Sequence, residues 1–404
     1  MVKPERRTRG DVLGAAAIAV VVALAAALIW WTSDARATVS RTAGVAVPTP
    51  PTARDVPGTL RQLWTAASPA TAAPVVVGGT VATGEGRRVD GRDAGTGESR
   101  WSYTRDTDLC GLSWVYHSVV AVYRDDRGCG QVSGLNSATG SRGPARSGYA
   151  DPRVRLSSDS MTVLSIGDTR LELWRSDLVR VLTYGETDAR VKPVNRGLHS
   201  GCTLVSAAAS SSAVSVLENC ANPAGLRLVL LRPGKDDDEP QQKIVPEPGT
   251  EAGARVLAVW ENNTAVYLPG GSGAQPRVEV VDETGATVSS TPLREPPSNA
   301  AAVSQAGSLI TWWIGDSLMV FDAGRFALRY TIAAGAKTPL GPAVMMAGRL
   351  LVPVTGGIGV YDPLSGTNER YIAVDRAPST AAVVPAVAGS WVVEQRGDTV
   401  VALG

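Results

Sequence analysis

Residues 89–103, VDGRDAGTGESRWSY, read as a strand, a tight turn and a second strand. The Asp93 carboxylate is placed to accept hydrogen bonds from backbone N–H groups one or two residues ahead. The Thr96 hydroxyl adds another bond, and Gly97 takes a positive φ at no steric cost. Trp101, four residues further on, is large enough to cover this turn and fix the strand that follows. The phrase returns in weaker forms at Asn136-Ser-Ala-Thr-Gly140, Asp282-Glu-Thr-Gly285, Asp322-Ala-Gly324 and Asp362-Pro-Leu-Ser-Gly366.

Around these turns, short apolar runs alternate with Gly, Asp, Asn and Pro clusters from Gly58 to the end, and no amphipathic helix stands out. With 43 glycines and 26 prolines in 404 residues, the composition suits many short strands and tight turns rather than helices. Third strands of a repeating unit are expected to end near Asp93, Asn136, Arg175, Arg232, Asp282, Asp322 and Asp362. Their spacing, averaging about 45 residues, is that of a four-stranded propeller blade. The ends of the region complement each other. Asp398-Thr-Val-Val-Ala-Leu-Gly404 matches a third strand with no fourth after it, and Leu60-Arg-Gln-Leu-Trp64-Thr65 matches a fourth strand with no blade before it. Pairing the two closes a ring and removes open sheet edges. The fold expected is therefore all-β, an eight-bladed β-propeller over 58–404, with seven blades as the alternative because the third and fourth repeats are degenerate.

The turn-plus-Trp phrase at Asp93–Trp101 and its copies resembles the PQQ-like (quinoprotein alcohol dehydrogenase-like) eight-bladed β-propeller superfamily, over roughly residues 58–404. The resemblance implies one of two activities, since a fold does not choose between them. One is PQQ-dependent alcohol oxidation with calcium in the central funnel. The other is non-catalytic scaffolding, as in the propeller subunit of the outer-membrane protein assembly machine. The vicinal Cys-Cys pair of many quinoprotein dehydrogenases is missing, and no motif here matches that family's calcium ligands or catalytic Asp.

Ahead of the propeller, Lys3, Arg6, Arg7 and Arg9 make a basic tail over 1–11. Residues 12–31, VLGAAAIAVVVALAAALIWW, carry no charge; as a helix rising ~1.5 Å per residue they cross a hydrocarbon core of ~30 Å. Trp30 and Trp31 fall at the interfacial level, and the flanking basic charge places the N-terminus inside. Ala35-Arg-Ala37 resembles a cleavage site, so a removed signal peptide is the alternative; the apolar run is longer than the usual h-region of about 7–15 residues and favours a retained signal-anchor. Residues 32–57, broken by Pro48, Pro50, Pro51 and Pro57, read as an extended linker holding the propeller off the membrane. The Ala-, Val- and Arg-rich composition is that of a high-GC bacterium such as an actinobacterium.

Four cysteines form two similarly spaced pairs, Cys110/Cys129 and Cys202/Cys220, each expected to close as a disulfide across the first two strands of a blade in an oxidising compartment. A metal site would more often show close C-x-x-C spacing. Asp93, Asp282, Asp322 and Asp362 are accounted for by turn chemistry, and Trp64 and Trp101 by blade packing. His117 reads as a hairpin-turn residue and His199 as a loop residue. Asp236-Asp-Asp-Glu239 reads as a solvated loop tip without the alternation of a calcium loop. In Trp312-Trp313 the two rings should point to opposite faces of a strand, blade packing taking at least one of them. A net charge of +1 gives no bulk electrostatic reason for a nucleic-acid partner. The expectation is a single-pass protein of the cytoplasmic membrane, N-terminus inside, whose extracytoplasmic propeller is a scaffold or binding module for an envelope protein or cell-wall polymer. It assigns no catalytic, metal or cofactor residue. A PQQ-dependent dehydrogenase is the alternative, and an enzyme built from central-channel residues a weaker third.

Overall fold

The computed structural model describes residues 8–187, 201–221, 224–246, 253–270, 274–377 and 380–404. Its strands form eight antiparallel sheets, here blades 1 to 8: residues 75–104, 109–147, 155–185, 202–246, 255–292, 302–332, 344–373 and 383–403. The last three-stranded unit is completed by Gln62–Ala67, which pairs antiparallel with Thr399–Leu403 in register Thr65↔Val401. The ring is thus an eight-bladed propeller closed by its two ends. The third strands finish at Asp93, Asn136, Arg175, Arg232, Val281, Asp322 and Tyr361.

Neighbouring blades cover both faces of each sheet, so the middle strands are apolar on both sides rather than alternating. In blade 2, Val119 to Tyr123 are all fully buried. Outer strands are largely exposed, as in Asn368–Ala373, where Ile372 alone is buried. Eight hydrophobic clusters fill the interfaces between successive blades, including blade 8 against blade 1 through Val393, Val400, Val81 and Ala94. Trp312 and Trp313 are both buried on opposite sides of blade 6, Trp312 against Tyr267 of blade 5 and Trp313 in the core shared with blade 7.

The repeated phrase acts between blades. Asp93 Oδ1 accepts from the N–H groups of Gly95 and Thr96, both at 3.0 Å, and Thr96 Oγ1 accepts from the N–H of Glu98 at 3.3 Å. Trp101, however, covers the turn of blade 2 and not its own. Its Nε1 donates to Ser137 O at 2.7 Å, and a Cβ on Gly140 would lie 2.6 Å from the indole. Blade 1's own turn is covered by Trp64 of the closing strand, whose Nε1 donates to Ala94 O at 3.0 Å and whose ring occupies the space beside Gly97. Gly97 and Gly140, at φ 74° and 71°, meet both a left-handed backbone and an indole where a side chain would stand. Tyr330 repeats the device against blade 7, its hydroxyl donating to Pro363 O at 3.0 Å.

Two further expectations are corrected. Cys202 and Cys220 are direct cross-strand partners on the first two strands of blade 4 and are joined by a disulfide. Cys110 and Cys129 are also joined, but across the first and third strands of blade 2, because the intervening hairpin turns at Tyr116-His117 and places Cys129 beyond the second strand. The linker expected over 32–57 to hold the propeller off the membrane is extended but docked on the ring. Val39–Arg41 adds a fifth strand to blade 1 by pairing with Ser102 to Thr104. Ala43 and Val47 donate backbone hydrogen bonds to Thr139 and Ala138 of blade 2, and Val47, Val56 and Leu60 are buried. Apolar residues spaced through a proline-broken segment let it bury side chains without regular structure of its own. Before it stand the helix Arg9–Thr32, exposed throughout its apolar length and long enough to cross a membrane, and a short turn of helix, Asp34–Ala37.

Candidate functional site

In a four-stranded antiparallel meander the turns after strands one and three share one end of the blade. On this upper face lie all the repeat turns and the innermost hairpin turns. Val39 sits opposite Thr104, the last residue of an outer strand running away from the upper face, so the chain joins the ring from the lower side. The strap from Ala43 to Leu60 then crosses to the upper face. Pro48 and Pro50 press on the innermost turns of blades 1 and 8, where a Cβ on Gly79 would lie 2.1 Å from Pro48 O and one on Gly389 2.7 Å from Pro50 Cβ. Ala53 and Val56 continue over Met346 and Ala347 of blade 7. The strap therefore lies along the rim over blades 1, 8 and 7.

Over blades 3 to 6 the funnel is open, with a volume of about 480 Å³. Its wall includes Asp159, Met161, Ser211, Trp260, Glu261 and Gln305. Asp159 is consumed by its own turn, its Oδ1 accepting from Met161 N at 2.9 Å and Thr162 N at 2.6 Å. The rim is held in uncommon backbone: Tyr116, Ser160 and Glu261 have φ of 53°, 78° and 49°. Tyr116 N–H donates to Ser160 O at 2.9 Å, locking the turns of blades 2 and 3 together. This leaves Tyr116 and Met161 exposed by 53% and 48%. Val179 and Leu364 on outer turns of the same face, and Val45 on the strap, are also exposed apolar side chains.

The residues singled out in the sequence do not converge on this funnel. Asp282, Asp322 and Asp362 each bond their own turns: Asp282 Oδ1 accepts from Thr284 Oγ1 at 2.7 Å, Asp322 Oδ1 from Arg325 N at 3.2 Å, and Asp362 Oδ1 from Ser365 N at 2.8 Å. The Thr284 hydroxyl, the Arg329 guanidinium and the Ser365 N–H respectively hold these carboxyls below the ordinary range. His117 stands in the innermost turn of blade 2, edge-on to Tyr116; His199 lies outside the described residues. In the loop 236–239, Asp237 is tied back to Arg180 at 2.6 Å rather than being free in solvent. Cys202, Glu218 and Cys220 are brought together, but both sulfurs are committed to the disulfide.

Sequence reasoning missed the buried carboxylates Glu172, Glu218 and Glu394, whose partners reach them from a neighbouring blade or, for Glu394, from the connection before it. Glu172 of blade 3 meets Arg146 of blade 2 at 2.8 Å and Arg170 at 2.6 Å, with Arg180 at 3.4 Å. Burial alone would raise its pKa, but Arg146 and Arg170 outweigh that and hold it below the usual value. Glu218 of blade 4 accepts from Tyr184 of blade 3 at 2.9 Å and from Arg227 at 2.7 Å. Glu394 of blade 8 takes both Arg376, at 2.6 Å, and Arg396, at 2.7 Å. The signal was a lone Glu inside an apolar strand, as in Leu171-Glu-Leu173 and Val393-Glu394.

A quinone bearing several carboxylates needs cationic side chains around it. Among the described residues lining the open funnel there is no Arg, Lys or His, so these walls do not fit PQQ. No family model and no curated protein sequence matches the chain. Among solved structures, BamB from Moraxella catarrhalis is similar at 12% identity and TM-score 0.50, over 85% of this chain and 99% of its own. The C-terminal WD40 domain of Sif2 is similar at 10% identity and TM-score 0.52, over 87% of this chain and 99% of its own. Saccharomyces cerevisiae Sqt1 is similar at 10% identity and TM-score 0.51, over 90% and 99%. At such identities these likenesses establish the β-propeller fold.

Proposed function

We propose that this protein is a membrane-anchored binding module that presents the open part of its upper face to another protein of the cell envelope. The observation that carries the reading is the pair of exposed apolar side chains at the funnel rim, Tyr116 and Met161, whose turns are locked together. Strained turns hold both outward, and a rigid ring bearing exposed apolar groups suits a protein contact. The strap reserves blades 1, 8 and 7 and is bonded to the outer turn of blade 2, leaving the innermost turn of blade 2 and blades 3 to 6 for the partner. The helix Arg9–Thr32 acts as a retained signal-anchor with its basic end inside, so that the chain joins the ring from the membrane side and the upper face looks away.

The test is capture of partners from envelope extracts by full-length protein carrying Tyr116→Asp and Met161→Asp together, against the wild type and a lower-face control, Arg87→Asp. Loss of capture in the double variant alone, with an unchanged melting curve, supports the reading. Equal capture by all three proteins, or turnover of a simple alcohol on adding PQQ and calcium, would replace it.

A further inference from the structure

A second cavity, of about 270 Å³, opens between the outer strands of blades 1 and 2, beside Thr38 where the chain joins the ring. Three arginines line it, Arg105, Arg142 and Arg146, together with Gln131 and Ser147; among the described residues no carboxylate does. Arg105 is only 7% exposed, its guanidinium 5.5 Å from the centroid of Tyr123. Arg146 is fixed from behind by Glu172 at 2.8 Å and by the Trp174 ring. Gln131 Nε2 donates to Ser147 Oγ at 2.7 Å and to Asp125 at 2.6 Å, holding the polar wall in place. Arg142, exposed at the start of the outer strand of blade 2, has no side-chain hydrogen-bond or ion-pair partner among the described residues. The wall is therefore a preformed set of donors to which Arg142 adds a charge that no carboxylate of the lining meets, the chemistry that takes a phosphate group.

Its position narrows the source. Five residues lie between Thr32, the last of the apolar helix, and Thr38 at the cavity, a reach of at most roughly 20 Å. Arg36 stacks on Trp31 at 3.7 Å across that short connection, adding a cation at the level expected for headgroups. We propose that this cavity binds the phosphate of an anionic lipid headgroup and so fixes the propeller's tilt on the membrane. The inference rests on the retained-anchor reading for its lipid source, though not for its phosphate chemistry.

The experiment uses full-length protein in nanodiscs of phosphatidylcholine, with or without a minor share of phosphatidylglycerol, and native mass spectrometry of the lipids retained on release. Wild type should retain phosphatidylglycerol, and Arg142→Gln should need about tenfold more of it for equal retention, with the melting temperature unchanged because Arg142 is exposed. Arg105→Gln is the stronger variant, used if it melts normally. A parallel titration with glycerol phosphate in pure phosphatidylcholine nanodiscs separates the sources. Binding there that depends on Arg142, without lipid retention, keeps the phosphate chemistry but overturns the lipid assignment. Equal retention by wild type and Arg142→Gln, with no glycerol phosphate binding, overturns the proposal. N-terminal sequencing of protein taken from cells reports on the anchor separately: a chain starting after Ala37 would end the anchor reading and leave the glycerol phosphate result standing.

Discussion

Replacing Trp101 by Ala empties the space between blades 1 and 2 and removes the donor to Ser137 O. The expected loss is about 3–5 kcal/mol, the range for a large buried aromatic. Trp101→Phe should recover most of it, the remainder reporting the indole N–H; urea titration of the three proteins measures both. Glu172 supplies a second prediction at this scale. Its folded pKa lies below the unfolded value, so its stabilisation is complete above about pH 4.3 and is lost as pH falls through the folded pKa. Glu172→Gln should cost on the order of 3 kcal/mol near neutrality by leaving Arg146 and Arg170 without their counter-charge. It should also flatten the acid limb of a plot of melting temperature against pH; an unchanged limb would mean that other carboxylates govern acid unfolding. The turn chemistry of Asp93, Thr96 and Gly97 was legible because it is local, written within five residues. That Trp101 serves the next turn was not, since a single repeat reads the same whether its aromatic folds back or reaches forward.

Among elements, the disulfides make the clearest prediction. Non-reducing peptide mapping should recover Cys110–Cys129 and Cys202–Cys220. Changing Cys202 and Cys220 to Ser should cost about 3 kcal/mol by freeing a loop of 18 residues. Both pairings were legible from spacing, but the strands they join were legible only for the second. There Ser210-Ser-Ser212 marks the hairpin midway between the cysteines, whereas in blade 2 two hairpins share a similar interval. The strap shows the opposite limit. Its prolines hide any periodicity, and the burial of Val47, Val56 and Leu60 depends on surfaces from blades distant in sequence. The exposed rim at Tyr116 and Met161 was illegible for a related reason: left-handed φ at a Tyr has no sequence signature.

For the whole molecule, ring closure by Gln62–Ala67 means that deleting those residues should unpair Thr399–Leu403 and expose the blade 8 side of the core. Lower solubility and a lower melting temperature are expected, and an unchanged melting curve would show that the strand is dispensable. This closure was readable in advance because each end of the repeat region lacked what the other had. Topology, too, is a whole-molecule matter: protease added to intact spheroplasts should cut the propeller or the connection at Ser33–Thr38, and full protection would contradict an outward-facing ring. The central claim is that the open upper face, from the innermost turn of blade 2 round to blade 6, seats a protein partner. Its most direct test is in-cell photocrosslinking from a reactive residue placed singly at Tyr116, Met161 or Trp260, and on the lower face at Arg87 or Asp168. A discrete adduct of one size is expected from the upper-face positions and none from the lower ones; adducts from the lower face alone, or from neither, would contradict a partner seated on the upper face.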